Sequence, residues 1–193
     1  GLGDVYKRQV TPQPEDLVSP ALYATLSQSS TDPYNGPLEV LPCETNGSFY
    51  IGNYTAKGKQ VPFPAYYLIT NGIGKSQKYP LRLPVGTYNV IYWGYPDYFG
   101  TAGDAYLADP TLIIGKKLNT TSLGLRKIPG DTVYYPIHSL VYGTQNINIG
   151  KDDLQAHLKH ASAALSVIVS ETNGDAFSDA IDSMWIYISR DIH

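Results

Sequence analysis

The residue types that could carry out chemistry are few in this chain and are widely spaced. His157 and His160 lie three positions apart, which on a helix would bring two imidazole rings to one face, as a zinc site requires. On a β-strand the same two side chains point to opposite faces and cannot share a metal ion. Ser139 follows His138, but the sequence has no Gly-x-Ser-x-Gly turn that would expose a serine nucleophile.

Three aspartates, Asp97, Asp104 and Asp109, lie close together in a segment that also contains glycine and proline. Carboxylate oxygens are ligands that calcium prefers, but the EF-hand spacing and its closing glutamate are absent. The sequence also lacks a Gly-x-Gly-x-x-Gly turn and a phosphate-binding loop. We therefore predict a non-enzymatic protein without a catalytic residue, a cofactor or a metal site.

A cluster of aromatic residues is the more informative group. Trp93, Tyr95 and Tyr98 follow one another near the end of a β-rich segment. Aromatic rings can stack on sugars or anchor a protein partner, so these three side chains are our candidate ligand or partner contacts. The alternative is that Trp93 belongs to the core and the tyrosines pack the end of the fold.

These aromatic residues belong to residues 79–95, the stretch around which the rest of the chain is organised. Pro84 and Gly86 supply turn chemistry between a short strand and a longer one, which predicts a hairpin. One face of the longer strand carries Tyr88, Val90 and Tyr92, and the other carries Asn89, Ile91 and Trp93. Because both faces are bulky, we expect this strand to be central and covered on both sides.

Composition excludes several classes of protein. The 193 residues carry a formal net charge of −3 with a pI near 5.7, which argues against nucleic-acid binding. Charged residues are only 16% of the chain, whereas 17 tyrosines stand against 4 phenylalanines, a balance that suits an extracytoplasmic β protein. The single cysteine, Cys43, excludes an internal disulfide, and no apolar run approaches the roughly 20 residues of a membrane helix.

Short β-prone segments separated by glycine, proline and asparagine turns predict an all-β chain folded as an antiparallel β-sandwich. Residues 151–164 fit either a helix or a strand, and we favour a strand because Leu154, Ala156 and Leu158 alternate. The Asn71-Gly72 and Lys57-Gly58 pairs predict tight turns. The remaining predicted strands are residues 48–55, 64–70, 111–114, 132–140, 145–149, 165–169 and 184–188.

The chain divides into four predicted parts. Residues 1–9 are similar to a translated sequencing-adaptor scar, so we expect the true N-terminus and any signal peptide to lie upstream. Residues 10–42 form a Pro/Ser-rich segment that we interpret as a linker or an extended edge. The β-sandwich then spans residues 43–170, and residues 171–193 are a last strand or the start of a truncated second β domain.

Three motifs resemble the Bacteroidales fimbrial anchor and accessory subunits, the fimbrillin-like surface lipoproteins. The first is residues 83–90 (LPVGTYNV) followed by Trp93-Gly94, the second is the strand at 143–149, and the third is residues 158–169 (LKHASAALSVIV). In the third motif His160 stands where the family usually has arginine. Together the motifs cover residues 79–169, and they mark a β framework rather than a reactive site.

This resemblance implies a transthyretin-like β-sandwich, export, lipidation at an upstream cysteine, and display on the outer membrane at the cell surface. It also implies a role as a fimbrial anchor, tip or accessory subunit that binds other subunits by strand complementation. A host protein or glycan is a further partner left open, and the membrane is reached only through the upstream anchor. Thr132 and Ser183 lie in Asp-Thr-Val and Asp-Ser-Met, which resemble the Bacteroidales O-glycosylation signal.

Two alternatives from other classes remain open on the sequence. One is a carbohydrate-binding module of a surface glycan-uptake system, with Trp93, Tyr95 and Tyr98 as the stacking platform. The other is an accessory β domain of a truncated secreted enzyme. Three N-glycosylation sequons, at Asn46, Asn53 and Asn119, do not discriminate among these functions.

Overall fold

A computed structural model describes residues 12–26, 32–45, 49–76, 79–96, 107–108, 111–118, 124–125, 130 and 140–161. All of them belong to one unit of the chain, residues 1–162. The predictions at Tyr98, Thr132 and Ser183, the strands at 132–139, 165–169 and 184–188, and the second β domain lie outside these residues. Within the described part, the prediction of an all-β fold is confirmed.

The regular structure of the described residues consists of one 3-10 turn and thirteen strands. The 3-10 turn is Pro14–Asp16, and the strands are β1 (Leu17–Val18), β2 (Leu22–Leu26), β3 (Gly36–Cys43), β4 (Asn53–Tyr54), β5 (Gln60–Val61), β6 (Ala65–Thr70), β7 (Ile73–Ser76), β8 (Leu83–Pro84), β9 (Gly86–Gly94), β10 (Leu107–Ala108), β11 (Gly124–Leu125), β12 (Val141–Ile149) and β13 (Leu154–His160).

Seven of these strands form one sheet that closes on itself. Its order is β12-β13-β2-β7-β6-β3-β9, and β9 then pairs with β12. All neighbours are antiparallel except β13 and β2, which run parallel. Two of the ladders that close the sheet are short. β2 pairs with β7 only through Tyr23 and Ile73, and β12 pairs with β13 only through the first two residues of β12. The other strands form three small two-stranded sheets, β1–β8, β4–β5 and β10–β11.

Strand β9 is central, as the sequence predicted. It pairs along its whole length with β12 on one side, and its residues 89–94 pair with β3 on the other. Val90 and Tyr92 are fully buried in the main core. On the opposite face Ile91 and Trp93 pack against a second cluster, whose buried members are Leu41, Cys43 and Tyr50. Both faces of the sheet are therefore covered here.

Strand β13 confirms the preference for a strand over a helix in this segment. Leu154, Ala156 and Leu158 are buried, and His157 is exposed on the other face. Because three positions along a strand reverse the side-chain direction, His157 and His160 do not form a zinc-binding pair. The alternation predicted at residues 145–149 is also confirmed, since Ile147 and Ile149 are both buried.

The structure corrects the interpretation of the Pro/Ser-rich N-terminal segment as a linker or edge. Two strands of the closed sheet, β2 and β3, arise from it, and β3 lies between β6 and β9. Pro37 is half-buried and alternates with the fully buried Leu38 and Val40, whereas Pro42 lies on the same face as those two residues and is itself buried. Burial of the apolar face outweighs the local signal of the prolines.

Several local predictions also change. Strand β8 pairs with β1 rather than with β9, so residues 79–95 do not form the predicted hairpin. No strand forms at 111–114, and only Asn53–Tyr54 forms a strand within 48–55. The tight turns are confirmed: Asn71 and Gly72 adopt positive φ angles of 50° and 77° between β6 and β7, and Gly58 has a φ of 81° between β4 and β5.

Buried tyrosine hydroxyls tie the strands to the loops. Three of them donate to proline carbonyls: Tyr34 to Pro37 at 2.6 Å, Tyr50 to Pro62 at 2.5 Å and Tyr88 to Pro84 at 2.8 Å. The hydroxyl of Tyr67 accepts a hydrogen bond from the backbone N–H of Leu81 at 2.7 Å. A buried polar group without a partner is costly, so each ring comes with a fixed loop contact.

Asn53 fixes the segment that leads into β8. Its side chain is 1% exposed, donates to the carbonyl of Pro80 at 2.8 Å and accepts from the N–H of Arg82 at 2.7 Å. Because the Asn53 amide is buried and both donates and accepts a hydrogen bond, the sequon at Asn53 cannot carry a glycan in the folded chain. The sequons at Asn46 and Asn119 lie outside the described residues.

Alkaline pH should unfold the protein because burial disfavours tyrosinate and thiolate. Burial raises the pKa values of Tyr88 and Cys43 to about 12, and it raises those of Tyr50 and Tyr92 above the ordinary 10.0. The unfolded chain therefore releases protons first, so stability is complete below the ordinary thiol pKa of 9.0 and falls as the pH rises from there through about 12. Circular dichroism and tyrosinate absorbance, recorded together along a pH titration, check this.

The expected result is that the absorbance of the buried tyrosines appears only together with loss of β structure. Replacement by Tyr88→Phe removes one of these ionisations and should make stability fall less steeply above pH 10. Complete tyrosinate absorbance in a chain that keeps its native dichroism would contradict the account.

Candidate interaction site

The backbone ladder of the β12–β13 hairpin is interrupted between its turn and its ends, and we call this interruption, at residues 143–147, the opening. Ladder pairing joins only Val141 and Tyr142 to His160 and Lys159. At the turn, the N–H groups of Lys151 and Asp152 donate to the carbonyl of Asn148. Between these two places, residues 143–147 have no ladder partner on the β13 side among the described residues, although they pair with β9 on the other side.

The side chain of Gln145 bridges this opening. Its Oε1 accepts from the hydroxyl of Tyr92 at 2.6 Å and from the backbone N–H of Gln155 at 2.9 Å. Its Nε2 donates to the carbonyl of Asp153 at 3.2 Å. One amide therefore replaces part of the missing ladder and also provides a hydrogen-bond acceptor for the hydroxyl of the buried Tyr92. Burial, with a smaller contribution from Tyr67, raises the pKa of Tyr92, which keeps this hydroxyl a donor.

Gly143 of β12 lies close against the backbone of β13. A Cβ atom added there would lie 2.6 Å from the carbonyl oxygen of His157. A side chain at this position would push β13 away from β12, so the close approach requires glycine. Within the stretch 143–147, which lacks ladder pairing toward β13, Gly143 thus lies against β13, and the Asn148–Asp152 turn follows the other end of the stretch.

The predicted aromatic contacts have different surroundings. Trp93 is half-buried on the outer face, where it lies between Glu39 of β3 and Tyr142 of β12. It packs against the second cluster, which favours the interpretation of this residue as a core residue over a freely presented stacking ring. Tyr95 is half-buried just after β9. Their role as partner contacts stays a prediction.

Sequence reasoning missed two residues that matter here. Tyr142 lies directly opposite Trp93 and is 47% exposed, and alternation along β12 could have placed it outward. Alternation with Ile147 and Ile149 places Gln145 on the inward face of β12, but the sequence does not reveal which groups its amide contacts there. Its role depends on the departure of β13 from the ladder, which local sequence does not reveal.

Other candidate chemistry finds little support in the described part of the chain. No group of three or more histidine, cysteine, aspartate or glutamate side chains that could hold a metal occurs among the described residues. No helix within those residues is long and apolar enough to cross a membrane. Cys43 is fully buried in β3, and burial raises the pKa of its thiol to about 12, so it is an unreactive core residue.

The described residues define an all-β fold whose candidate site is a stretch of strand edge. The family model of the fimbrillin-A associated anchor proteins Mfa1 and Mfa2 matches residues 15–191 of the chain. The chain belongs to this family, which confirms the resemblance recognised in its motifs. The family is structural and non-enzymatic, and it implies a cell-surface location and association with other fimbrial subunits. No curated protein and no solved structure matches the chain.

Replacement of Gln145 by leucine should destabilise the protein by about 1–3 kcal/mol, because it leaves the Tyr92 hydroxyl and the Gln155 N–H without their acceptor. Gln155→Leu is the matched control, since the Gln155 side chain is exposed and only its backbone is engaged. It should change stability by less than about 0.5 kcal/mol. Denaturant unfolding measures both variants.

A double-mutant cycle tests the contact itself. Tyr92→Phe should cost less in the Gln145→Leu background than in the unsubstituted chain, because the hydrogen bond is then already lost. Equal costs in the two backgrounds would show that Gln145 does not hold Tyr92.

Proposed function

We propose that this protein is a fimbrial anchor, tip or accessory subunit that joins other fimbrial subunits by strand complementation along β12. The observation that carries the proposal is the opening at residues 143–147, where β12 pairs fully with β9 but has no ladder partner toward β13. Backbone groups on an open strand edge are a template for a further strand. The family membership makes another fimbrial subunit the natural donor.

The narrow junctions of the sheet support the predicted transthyretin-like sandwich. We propose that β13 and β2 form one layer and that β7, β6, β3, β9 and β12 form the other. The layers join at a single residue pair between β2 and β7, and at the ends of β12 and β13. Separation of the layers along the β12–β13 junction would make room for a strand from a partner without loss of the β9 pairing.

The fimbrial family also suggests how the protein is attached to the membrane. We propose export and lipid attachment at a cysteine upstream of this sequence, with display on the outer membrane. Cys43 does not serve this purpose, because it lies fully buried in the middle of the folded unit. The membrane would then be reached through the lipid alone.

The alternative functions are less well supported. A sugar-binding platform built on Trp93 needs an accessible ring face, whereas Trp93 packs against the cluster of Leu41, Cys43 and Tyr50. An accessory domain of an enzyme finds no support in a family that is structural and non-enzymatic. Strand-mediated association is therefore the function that the geometry favours.

A photo-reactive amino acid placed at Thr144 of β12 should cross-link to a neighbouring fimbrial subunit on intact cells. Thr144 is exposed and lies within the opening. Lys57 is the matched control position, because it is exposed in the separate β4–β5 hairpin. Mass spectrometry should identify a strand-forming segment of another subunit in the Thr144 product and not in the Lys57 product.

The proposal is wrong if Thr144 yields no subunit adduct while fimbriae are assembled on the same cells. It is also wrong if both positions give the same adducts, since the contact would then not be specific to β12.

A further inference from the structure

A tight turn at residues 113–116 presents two large apolar side chains to solvent. Ile113 is 50% exposed and Ile114 is 37% exposed. The N–H of Lys116 donates to the carbonyl of Ile113 at 3.1 Å, and Gly115 has a φ of 81°, as the third residue of a type II turn requires. Turns usually carry glycine, proline, asparagine, aspartate or serine, so turn chemistry does not account for the two isoleucines.

The buried Tyr50 holds this turn in place. The N–H of Gly115 donates to the carbonyl of Tyr50 at 2.7 Å, and the N–H of Tyr50 donates to the carbonyl of Lys116 at 3.0 Å. On either side of the turn, Leu112 and Leu118 pack against the second cluster. The loop therefore directs its leucines to the core and its isoleucines outward in a fixed conformation, which lowers the entropic cost of binding.

A neighbouring loop adds an exposed aromatic ring. The hydroxyl of Tyr50 donates to the carbonyl of Pro62 at 2.5 Å, and the next residue, Phe63, is 54% exposed. The Phe63 ring stacks on Tyr79, with the ring centroids 5.9 Å apart and the ring planes 18° from parallel. Like the isoleucines, this ring is positioned before any partner arrives.

The two loops lie against each other at Gly52. A Cβ atom added there would collide with both the carbonyl oxygen of Val61 and the side chain of Ile114. Because Phe63 follows Val61 by two residues, we group Phe63, Ile113 and Ile114 as the apolar patch. The described residues expose seven large apolar side chains, and three of them belong to this patch, a clustering that marks an interaction surface.

Positive charge accompanies the apolar patch. The loop of residues 111–118 contains two lysines and no acidic residue, although the whole chain has a net charge of −3. Lys116 is exposed within the turn itself. Because interfaces pair apolar surface with apolar surface and positive charge with negative, the matching partner has an apolar pocket with carboxylates at its rim.

A polypeptide matches this description better than a lipid surface does. Membranes that attract a protein by charge do so through clusters of about four or more lysines and arginines. This loop has two lysines, and the ammonium group of Lys117 lies over the Phe49 ring, 5.5 Å from its centroid. The family to which the chain belongs associates with other fimbrial subunits, which are therefore the candidate partners.

We propose that the apolar patch docks into an apolar pocket with an acidic rim on another fimbrial subunit, as a contact additional to the pairing of β12. Ile113 and Ile114 fill the pocket, Phe63 covers its edge, and Lys116 faces the carboxylates. The inference rests on the fimbrial role in the proposed function, but it does not rest on strand complementation.

A photo-reactive amino acid with an aliphatic side chain, placed at Ile113, tests this contact on intact cells. It should form an adduct with another fimbrial subunit. Ile73 is the matched control position, because it is the same residue type, is 55% exposed and lies in β7, and it should not form this adduct. The proposal is overturned if Ile113 gives no subunit adduct on cells with assembled fimbriae, or the same adducts as Ile73. Adducts with lipid or with a second copy of this chain would also overturn it.

Binding of the purified full chain to the same subunit measures the side chains. Ile113→Ser combined with Ile114→Ser should raise Kd by about tenfold or more, because two apolar side chains lose their burial, whereas Ile73→Ser should leave Kd unchanged. Lys116→Glu should slow association at low salt. An unchanged Kd for the double variant, or an unchanged association rate for Lys116→Glu, would contradict the proposal. Ile113→Thr, which keeps the β-branched shape, repeats the test if the double variant does not fold.

The docking contact and strand complementation fail separately in these experiments. A subunit adduct at Thr144 without one at Ile113 rejects the docking contact and leaves strand complementation in place. An adduct at Ile113 without one at Thr144 supports the docking contact and rejects strand complementation. Assembled fimbriae with neither adduct reject both.

Discussion

Buried hydrogen-bonding groups must find partners inside the fold, and this requirement organises the molecule. The chain fills its cores with tyrosine where other proteins use phenylalanine, and each hydroxyl then needs a defined contact. Tyr34, Tyr50 and Tyr88 meet this need at proline carbonyls in the connecting segments. The buried amide of Asn53 likewise forms two hydrogen bonds with the backbone of the segment that leads into β8. Packing and loop geometry are therefore determined together.

The same requirement explains how the sheet can be closed and yet open along one strand. β13 leaves the ladder of β12 after two residues, which would leave polar groups of both strands unpaired. The Gln145 side chain replaces part of the lost pairing, because its amide forms hydrogen bonds with the Tyr92 hydroxyl, the Gln155 N–H and the Asp153 carbonyl. A side chain is easier to displace than a backbone ladder, so a strand edge that one amide protects is suited to a partner that brings its own strand.

The sequence predicts those elements whose patterns are local. Alternation along β9, β12 and β13 identified these strands and their buried faces, and the Asn71-Gly72 turn follows from its φ requirements. Strands β2 and β3 were missed because serines and prolines obscured a pattern that only burial reveals. The β1–β8 pairing and the contacts of Gln145 join residues far apart in sequence, so no local pattern encodes them. The aromatic residues around Trp93 were easy to recognise in the sequence, but residue type alone does not show whether an aromatic side chain is buried or exposed.

The central claim is that residues 143–147 of β12 receive a strand from another fimbrial subunit. Hydrogen–deuterium exchange of the full chain, alone and mixed with that subunit, measures this most directly because exchange reports amide pairing. The account predicts that the β12 amides facing β13 exchange faster than those facing β9 in the free chain, and that they become protected in the mixture. Subunit binding that leaves the exchange of residues 143–147 unchanged would contradict it.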